Sequence, residues 1–151
     1  MAKTAKKTVA GSLAWPVTLE PAEEGGFIVN FPNFPEGWSQ GDTREEALAQ
    51  AADLLETMVA NYMAEGWDLP APSLAKGRPL VRLEPLVAAK AELYRAMKAA
   101  GISKEELARR IGLAPEKAGR LFSIHHALRL DQLNAALAVL GRRLVVTTEA
   151  A

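Results

Sequence analysis

The chain has 151 residues, the length of one ordinary domain or two small ones, and its 49% hydrophobic content is enough for a buried core, which excludes disorder as the dominant state. Eighteen Lys and Arg balance eighteen Asp and Glu, so no strong net charge points to a nucleic-acid or membrane partner for the chain as a whole. The sequence has no cysteine, which excludes disulfides and thiolate sites, and no secretory signal or membrane-length apolar run, so we expect a cytoplasmic protein.

The first half of the chain predicts a small sheet and one long helix. Residues 1–11 are predicted to be a flexible basic leader, and a first domain is expected over residues 12–84. Short β-rich runs at 15–20 and 27–31 surround Pro21 and a Gly pair, which indicates a hairpin. A possible third strand lies at 37–40, and a fourth, short strand is predicted at 80–83.

Helix signals follow the third strand. Thr43 and Glu46 match a capping box, and apolar residues then recur at spacings of three and four, which predicts one helix from Arg44 to about Glu65, ended by Gly66. The module is therefore ββ(β)αβ. Four prolines in the stretch from Trp67 to Pro85, the last being Pro85 itself, prevent any helix from running through it, so it is interpreted as a linker around the last strand.

The second half, residues 85–151, is predicted to be helical almost throughout. A first helix is expected over residues 86–99, and its inward positions are predicted to be Leu86, Ala89, Leu93, Ala96 and Met97. Further helices are expected from a second capping box to position 111, from 115 to about 124, and from about 131 to 140. The β-rich tail, residues 143–148, is predicted to be a terminal strand in need of a partner. The fold class is α+β.

Acidic residues predominate in the first half of the chain and basic residues in the second. Residues 1–87 hold 7 basic and 12 acidic side chains, whereas residues 88–151 hold 11 basic and 6 acidic ones, so the halves carry −5 and +5. Such asymmetry indicates two modules with different partners.

Residues 104–122 have the spacing of a helix-turn-helix motif. Ala108 is small enough for close helix contact, Gly112 suits a left-handed turn four residues later, and Ala118 and Leu121 face back into the core. A small helical hairpin without DNA-binding activity has the same spacing, although the positive charge of this half disfavours it. Gly119 costs about 1 kcal/mol inside the predicted recognition helix, which is therefore expected to be soft until it binds DNA.

The predicted DNA contacts fall into two groups. In the recognition helix, Arg120 is the main candidate for reading a guanine, beside Glu116 and Lys117. The remaining candidates are phosphate contacts at the preceding helix, for which an ordinary solvated charged face is an equal alternative: Ser103, Lys104, Arg109 and Arg110. Because operators are normally read as paired half-sites, a homodimer or higher homo-oligomer is predicted, with the tail strand pairing between copies.

Metal binding is not expected. His125 and His126 are the only histidines, and neighbouring residues on a helix point about 100° apart. No cofactor is predicted.

Several stretches in this order carry a family resemblance: GGF, GDTREEA and RLFSIHHALRLD, within a similarity that covers about residues 15–147. The chain resembles the HicB antitoxins of bacterial HicAB toxin–antitoxin systems. The resemblance implies an N-terminal module like a partial, inactive RNase H fold that binds and blocks a HicA-like toxin, a small RNase. It also implies a C-terminal DNA-binding domain that represses the operon of the pair.

The resemblance gives the acidic half a partner. A toxin that binds RNA must present a basic surface, and a module with charge −5 suits it. The candidate toxin contacts are Glu20, Glu23, Glu24, Trp38 and Asp42, with a solvated loop as the alternative for each carboxylate and a core position as the alternative for Trp38.

Two other functions compete with the antitoxin. One is a free-standing helix-turn-helix transcriptional regulator whose first half senses a ligand or controls oligomerisation. The other is a metal-dependent nuclease, which needs several converging carboxylates. The strands offer only Glu20 and Asp42, so no enzymatic activity is predicted.

Overall fold

Five short strands form two small antiparallel sheets in the computed structural model, which describes residues 13–151. The predicted leader, residues 1–11, lies outside the described residues. Strand β1 pairs with β5, and the order of the second sheet is β2-β3-β4. The strands are β1 (Ala14–Pro16), β2 (Thr18–Pro21), β3 (Phe27–Asn30), β4 (Trp38–Gly41) and β5 (Leu80–Arg82).

The run predicted as one strand over residues 15–20 is two strands that belong to different sheets. The interruption is at Val17, which is fully buried and donates its backbone N–H to the carbonyl of Pro79 at 3.0 Å. Pro16, directly before the break, has no N–H for a continuous ladder, and the residues on the two sides of Val17 pair with different strands. The single-strand prediction was wrong, but the hairpin of β2 with β3 is confirmed.

Helix α1 (Arg44–Glu65) has the predicted bounds. The Thr43 side chain accepts a hydrogen bond from the backbone N–H of Glu46 at 3.0 Å, while the Glu46 carboxylate accepts from the N–H of Asp42 at 3.3 Å. The first turn of the helix lies directly on Gly41, where an added Cβ would come within 2.4 Å of the backbone nitrogen of Ala47. Only glycine therefore allows β4 to pack this closely against the helix.

The second half contains helices α2 (Pro85–Ala100), α3 (Lys104–Arg110) and α4 (Leu130–Val139), together with a 3₁₀ helix (Pro115–Leu121). The α-helix predicted from 115 to about 124 is thus a shorter 3₁₀ helix. Seven residues are long for this helix type, and Gly119 within it has a low α-helical propensity. Gly112, in the turn before it, has φ 77°, the left-handed conformation expected from the sequence.

The predicted terminal strand is absent from the single chain. Residues 142–151 form no regular element, and Val145 and Val146 are 68% and 71% exposed. The physical reason is that a strand needs a partner, and no other strand of the described residues reaches this tail.

The two halves share one hydrophobic core. Its buried members include Trp15 and Leu55 from the first half and Leu93 and Leu133 from the second. The indole N–H of Trp15 donates to the carbonyl of Pro70 at 3.0 Å, which fixes the proline-rich segment against the first sheet. The α+β class is confirmed, with two small sheets beside five helical segments.

Candidate functional site

One side of the β2-β3-β4 sheet faces away from α1. Strand alternation sends Leu19, Phe27 and Val29 into the core. The opposite side presents two cross-strand rows, which we name the outer sheet face: Glu20, Ile28 and Gln40 in one row, and Thr18, Asn30 and Trp38 in the other. Trp38 is 58% exposed, so the alternative that it belongs to the core was wrong.

The predicted carboxylates gather at one end of this sheet. Glu23 and Glu24 lie in the exposed turn between β2 and β3, and Asp42 follows β4 at the same end, because Phe27 pairs with Gly41. Trp38 is at the opposite end of the outer sheet face. From position 13 to position 43 the sequence contains five carboxylates and no Lys, Arg or His. The sheet therefore combines an exposed indole with several carboxylates, in a run of sequence that contains no basic residue of its own.

Three side chains of the second half bind the C-terminal end of α1. The Tyr94 hydroxyl donates to the carbonyl of Trp67 at 2.7 Å. The Lys98 ammonium donates to the carbonyl of Gly66 at 2.8 Å and lies 3.4 Å from the Asp68 carboxylate. With Lys104, these side chains form the contacts that we name the inter-half ties.

Lys104 was predicted as a phosphate contact, and the structure gives it an internal partner. Its ammonium donates to the carbonyl of Met63 at 2.6 Å and lies 6.0 Å and 5.8 Å from the ring centroids of Tyr94 and Phe122. Burial lowers the pKa of Lys104, with nearby charges as smaller influences. One cation therefore contacts α1, α2 and the segment directly after the 3₁₀ helix.

The other phosphate candidates of α3 interact with one another. Glu106 accepts from Arg109 at 2.5 Å and from Arg110 at 2.8 Å, and the hydrogen bond from Arg110 is the main reason that the pKa of Glu106 is lowered. Ser103 caps the helix, since its hydroxyl accepts from the N–H of Glu106 at 3.0 Å. Both arginines are exposed, and Glu106 offsets part of their charge.

The 3₁₀ helix turns its two cations to the same side. Ala118 and Leu121 are buried, whereas Glu116, Lys117 and Arg120 are exposed. Residues three apart eclipse each other in a 3₁₀ helix, so Lys117 and Arg120 lie on one face. They line a cleft of about 270 Å³ together with His126 and Gln132, neither of which was predicted from the sequence as a binding residue.

Two further features bear on the sequence predictions. Among residues 13–151, no three or more His, Cys, Asp or Glu side chains lie close enough together to hold a metal ion. None of the helices in this part of the chain is long and apolar enough to cross a membrane.

An acidic sheet face with an exposed indole and a separate cleft lined by cations are features of a binding protein. Comparison with known families identifies its kind: a family model described as HicB-like antitoxin of bacterial toxin–antitoxin systems matches residues 14–92. The chain belongs to this family, as the resemblance in its sequence indicated.

Relatives extend the similarity over most of the chain. An antitoxin HicB of Escherichia coli K12 is 39% identical over 133 residues, which cover 87% of this chain and 96% of the relative. Antitoxin HicB 1 of Photorhabdus laumondii is 36% identical over 138 residues, covering 91% and 88% of the two chains. An antitoxin HicB of Pseudomonas fluorescens is 35% identical over 144 residues, covering 93% and 99%.

Proposed function

We propose that this protein is an antitoxin that neutralises a HicA-type mRNA-cleaving toxin with its first half and represses its own operon with its second half. The observation that carries the first activity is the outer sheet face, whose strands belong to a run of sequence, residues 13–43, without Lys, Arg or His. An RNase that binds RNA through a basic surface finds there a complementary charge and an apolar anchor. In this proposal the first half is a partial RNase H-like fold.

The toxin-binding role divides into two contributions. Trp38 is the anchor, because large exposed aromatic side chains often dominate the binding energy of an interface. Glu20, Glu23, Glu24 and Asp42 supply attraction and orientation, which act mainly on the association rate and depend on salt. Glu20 lies in the same face as the indole, and the other three lie at the far end of the sheet.

Co-expression with the small basic protein encoded beside this gene tests the neutralisation. The wild-type chain is expected to restore growth and to co-purify with that protein, whereas Trp38→Ala is expected to weaken the complex by about 2 kcal/mol or more. Trp67→Ala is the matched control, since Trp67 is 51% exposed but lies outside the sheet. Failure of the wild type to rescue growth or to co-purify would refute the antitoxin proposal and favour a free-standing regulator.

DNA binding is proposed for the helix-turn-helix formed by α3 and the 3₁₀ helix. The support is the net charge of +5 in the second half and the exposed pair Lys117 and Arg120 on one face. Arg120 remains the candidate for base recognition, with Glu116 beside it, while Ser103, Arg109 and Arg110 remain candidates for phosphate. Lys104 is given an internal role instead, because its ammonium donates to the carbonyl of Met63. Arg120→Ala is expected to cost about 1–3 kcal/mol on the promoter duplex and to relax its base preference.

The remaining parts of the proposal concern assembly and chemistry. A dimer is proposed because operators present paired half-sites, and light scattering at micromolar concentration tests it: a monomer would refute it. No enzymatic activity and a cytoplasmic location are part of the same proposal. Magnesium-dependent RNA cleavage that disappears on substitution of Glu20 or Asp42 would refute the first of these.

A further inference from the structure

Lys90 of α2 is a fully buried cation, with 0% of its surface exposed. Its ammonium donates hydrogen bonds to the backbone carbonyls of Ser123 and His126. Among residues 13–151, no carboxylate forms an ion pair with it. A buried charge without a counter-ion is costly, and burial accordingly lowers the pKa of Lys90. Two hydrogen bonds to neutral carbonyls hold this charge in place.

These hydrogen bonds shape the segment that follows the 3₁₀ helix. With the carbonyl of His126 turned inward to Lys90, the His126 side chain lines the cleft beside Lys117 and Arg120. His125, its neighbour, is exposed and lies outside the cleft lining. Lys90 thus fixes one wall of the cleft from the inside of the protein.

The cleft has the chemistry of an anion site. Its polar lining is Lys117, Arg120, His126 and Gln132, its remaining lining is apolar, and no carboxylate takes part among the described residues. The nearby Asp131 carboxylate is held by Arg129 at 2.6 Å instead. The lining thus supplies an ammonium, a guanidinium, an imidazole and an amide, all of which can donate hydrogen bonds to a phosphate oxygen.

We propose that this cleft holds a backbone phosphate of bound DNA, contacted by Lys117, His126 and Gln132, and that Lys90 is the positioning residue that builds its wall. The proposal rests on the DNA-binding function proposed above and deepens it. Arg120 lies in the same lining, from which its longer side chain reaches toward a base while the phosphate fixes the register of the chain on the duplex.

The salt dependence of DNA binding by the full chain tests the phosphate contact. Anisotropy titrations use a duplex from the promoter of its own gene and a random duplex of equal length, each at several salt concentrations. Lys117→Ala is expected to weaken both duplexes equally and to reduce the slope of log K against log salt by about 0.9. Arg120→Ala is expected to reduce the preference for the promoter duplex instead.

The adjacent histidines provide a matched pair. His126→Ala is expected to weaken both duplexes by about threefold or more, the size of one lost hydrogen bond, and His125→Ala is expected to leave affinity unchanged. Equal effects of the two substitutions would overturn the proposal, as would a wild-type slope in Lys117→Ala.

Lys90 is tested by substitution with a residue of similar length. Lys90→Met is expected to weaken both duplexes by about tenfold while leaving binding to the toxin unchanged, and Arg95→Met on the same helix is the control for lost charge. If Lys90→Met does not fold, the histidine pair and Lys117→Ala still decide the matter. Unchanged DNA affinity in a folded Lys90→Met chain would overturn the positioning role.

Inorganic phosphate identifies the source of the anion. At equal ionic strength, millimolar phosphate and chloride are expected to have the same effect on DNA binding, since one phosphate contact of many is weak by itself. Tight binding of inorganic phosphate in the absence of DNA would overturn the assignment to DNA. A wild-type chain that binds neither duplex would refute the proposed DNA-binding function itself, a result distinct from failure of the variants alone.

Discussion

Lys104 allows a direct test between a role at the DNA surface and a role inside the protein. In Lys104→Met the apolar stem is retained, but the hydrogen bond to the carbonyl of Met63 and the contacts with the rings of Tyr94 and Phe122 are lost. The substitution therefore removes a cation from the place where the two halves of the chain meet.

The expected loss of stability follows from these contacts. A hydrogen bond to a charged group contributes about 1.5–3 kcal/mol and a partly exposed cation–π contact about 0.5–1 kcal/mol. The substitution also removes the cost of partly burying a charged ammonium, a cost that the lowered pKa of Lys104 reflects, and this offsets some of the loss. We expect Lys104→Met to reduce the free energy of unfolding by about 1–2 kcal/mol.

Urea unfolding followed by tryptophan fluorescence measures this loss, and the salt slope of DNA binding measures the alternative role. Arg109→Met is the control for stability, because Arg109 is 62% exposed and its ion pair contributes little. As a proposed phosphate contact, Arg109 is expected to reduce the salt slope when it is replaced. The internal role predicts a lower unfolding midpoint with an unchanged salt slope. A slope reduced by about 0.9 with no loss of stability would refute it and restore Lys104 as a phosphate contact.

Three further predictions concern single residues. Trp38→Ala is expected to leave the unfolding midpoint unchanged while it weakens toxin binding, because the side chain is 58% exposed; a lowered midpoint would contradict this. The hydrogen bond from Arg110 holds the pKa of Glu106 below its usual 4.5. The ionised carboxylate of Glu106 therefore stabilises the fold above pH 4.5, and this stabilisation is lost as the pH falls through the lowered pKa. Glu106→Gln is therefore expected to show a smaller loss of urea stability between about pH 5 and pH 2 than the wild type, and parallel curves would refute the effect. Gly119→Ala meets no atom within 4 Å and is expected to raise stability by about 0.5–1 kcal/mol, whereas Gly112→Ala, at φ 77°, is expected to lower it; thermal melts that show the reverse order would contradict both.

Local signals predicted the elements that depend on local physics. Helix α1 begins and ends as expected because a capping box at Thr43, a regular apolar stripe and Gly66 all specify the same helix. The hairpin followed in the same way from its turn residues. The split at Val17 was not predictable from β propensity alone, because it depends on which strand each half of the run pairs with.

The inward face of α2 was predicted only in part. Of the predicted inward positions, Leu93 and Met97 are buried, but Leu86 is 40% exposed, and Lys90 is buried in a place where an apolar residue is the usual choice. Hydrophobicity cannot predict an inward lysine, since its partners are backbone carbonyls some 33 and 36 residues further along the chain. The cleft whose wall Lys90 positions could not be predicted from the sequence for the same reason.

The charge separation between the halves does not make them independent. Helix α1 has no basic residue in its last turn, so the negative end of its dipole lacks a cation of its own. Lys98 and Lys104 of the second half supply that charge by binding the carbonyls of Gly66 and Met63. Cutting the chain at the predicted domain boundary, 84/85, would therefore remove the contacts by which Lys98 and Lys104 stabilise α1, the helix that packs behind the outer sheet face. We expect a fragment cut there to lose the proposed toxin binding through instability even if it retains every surface contact. The two proposed activities are therefore best separated by surface substitutions in the full chain.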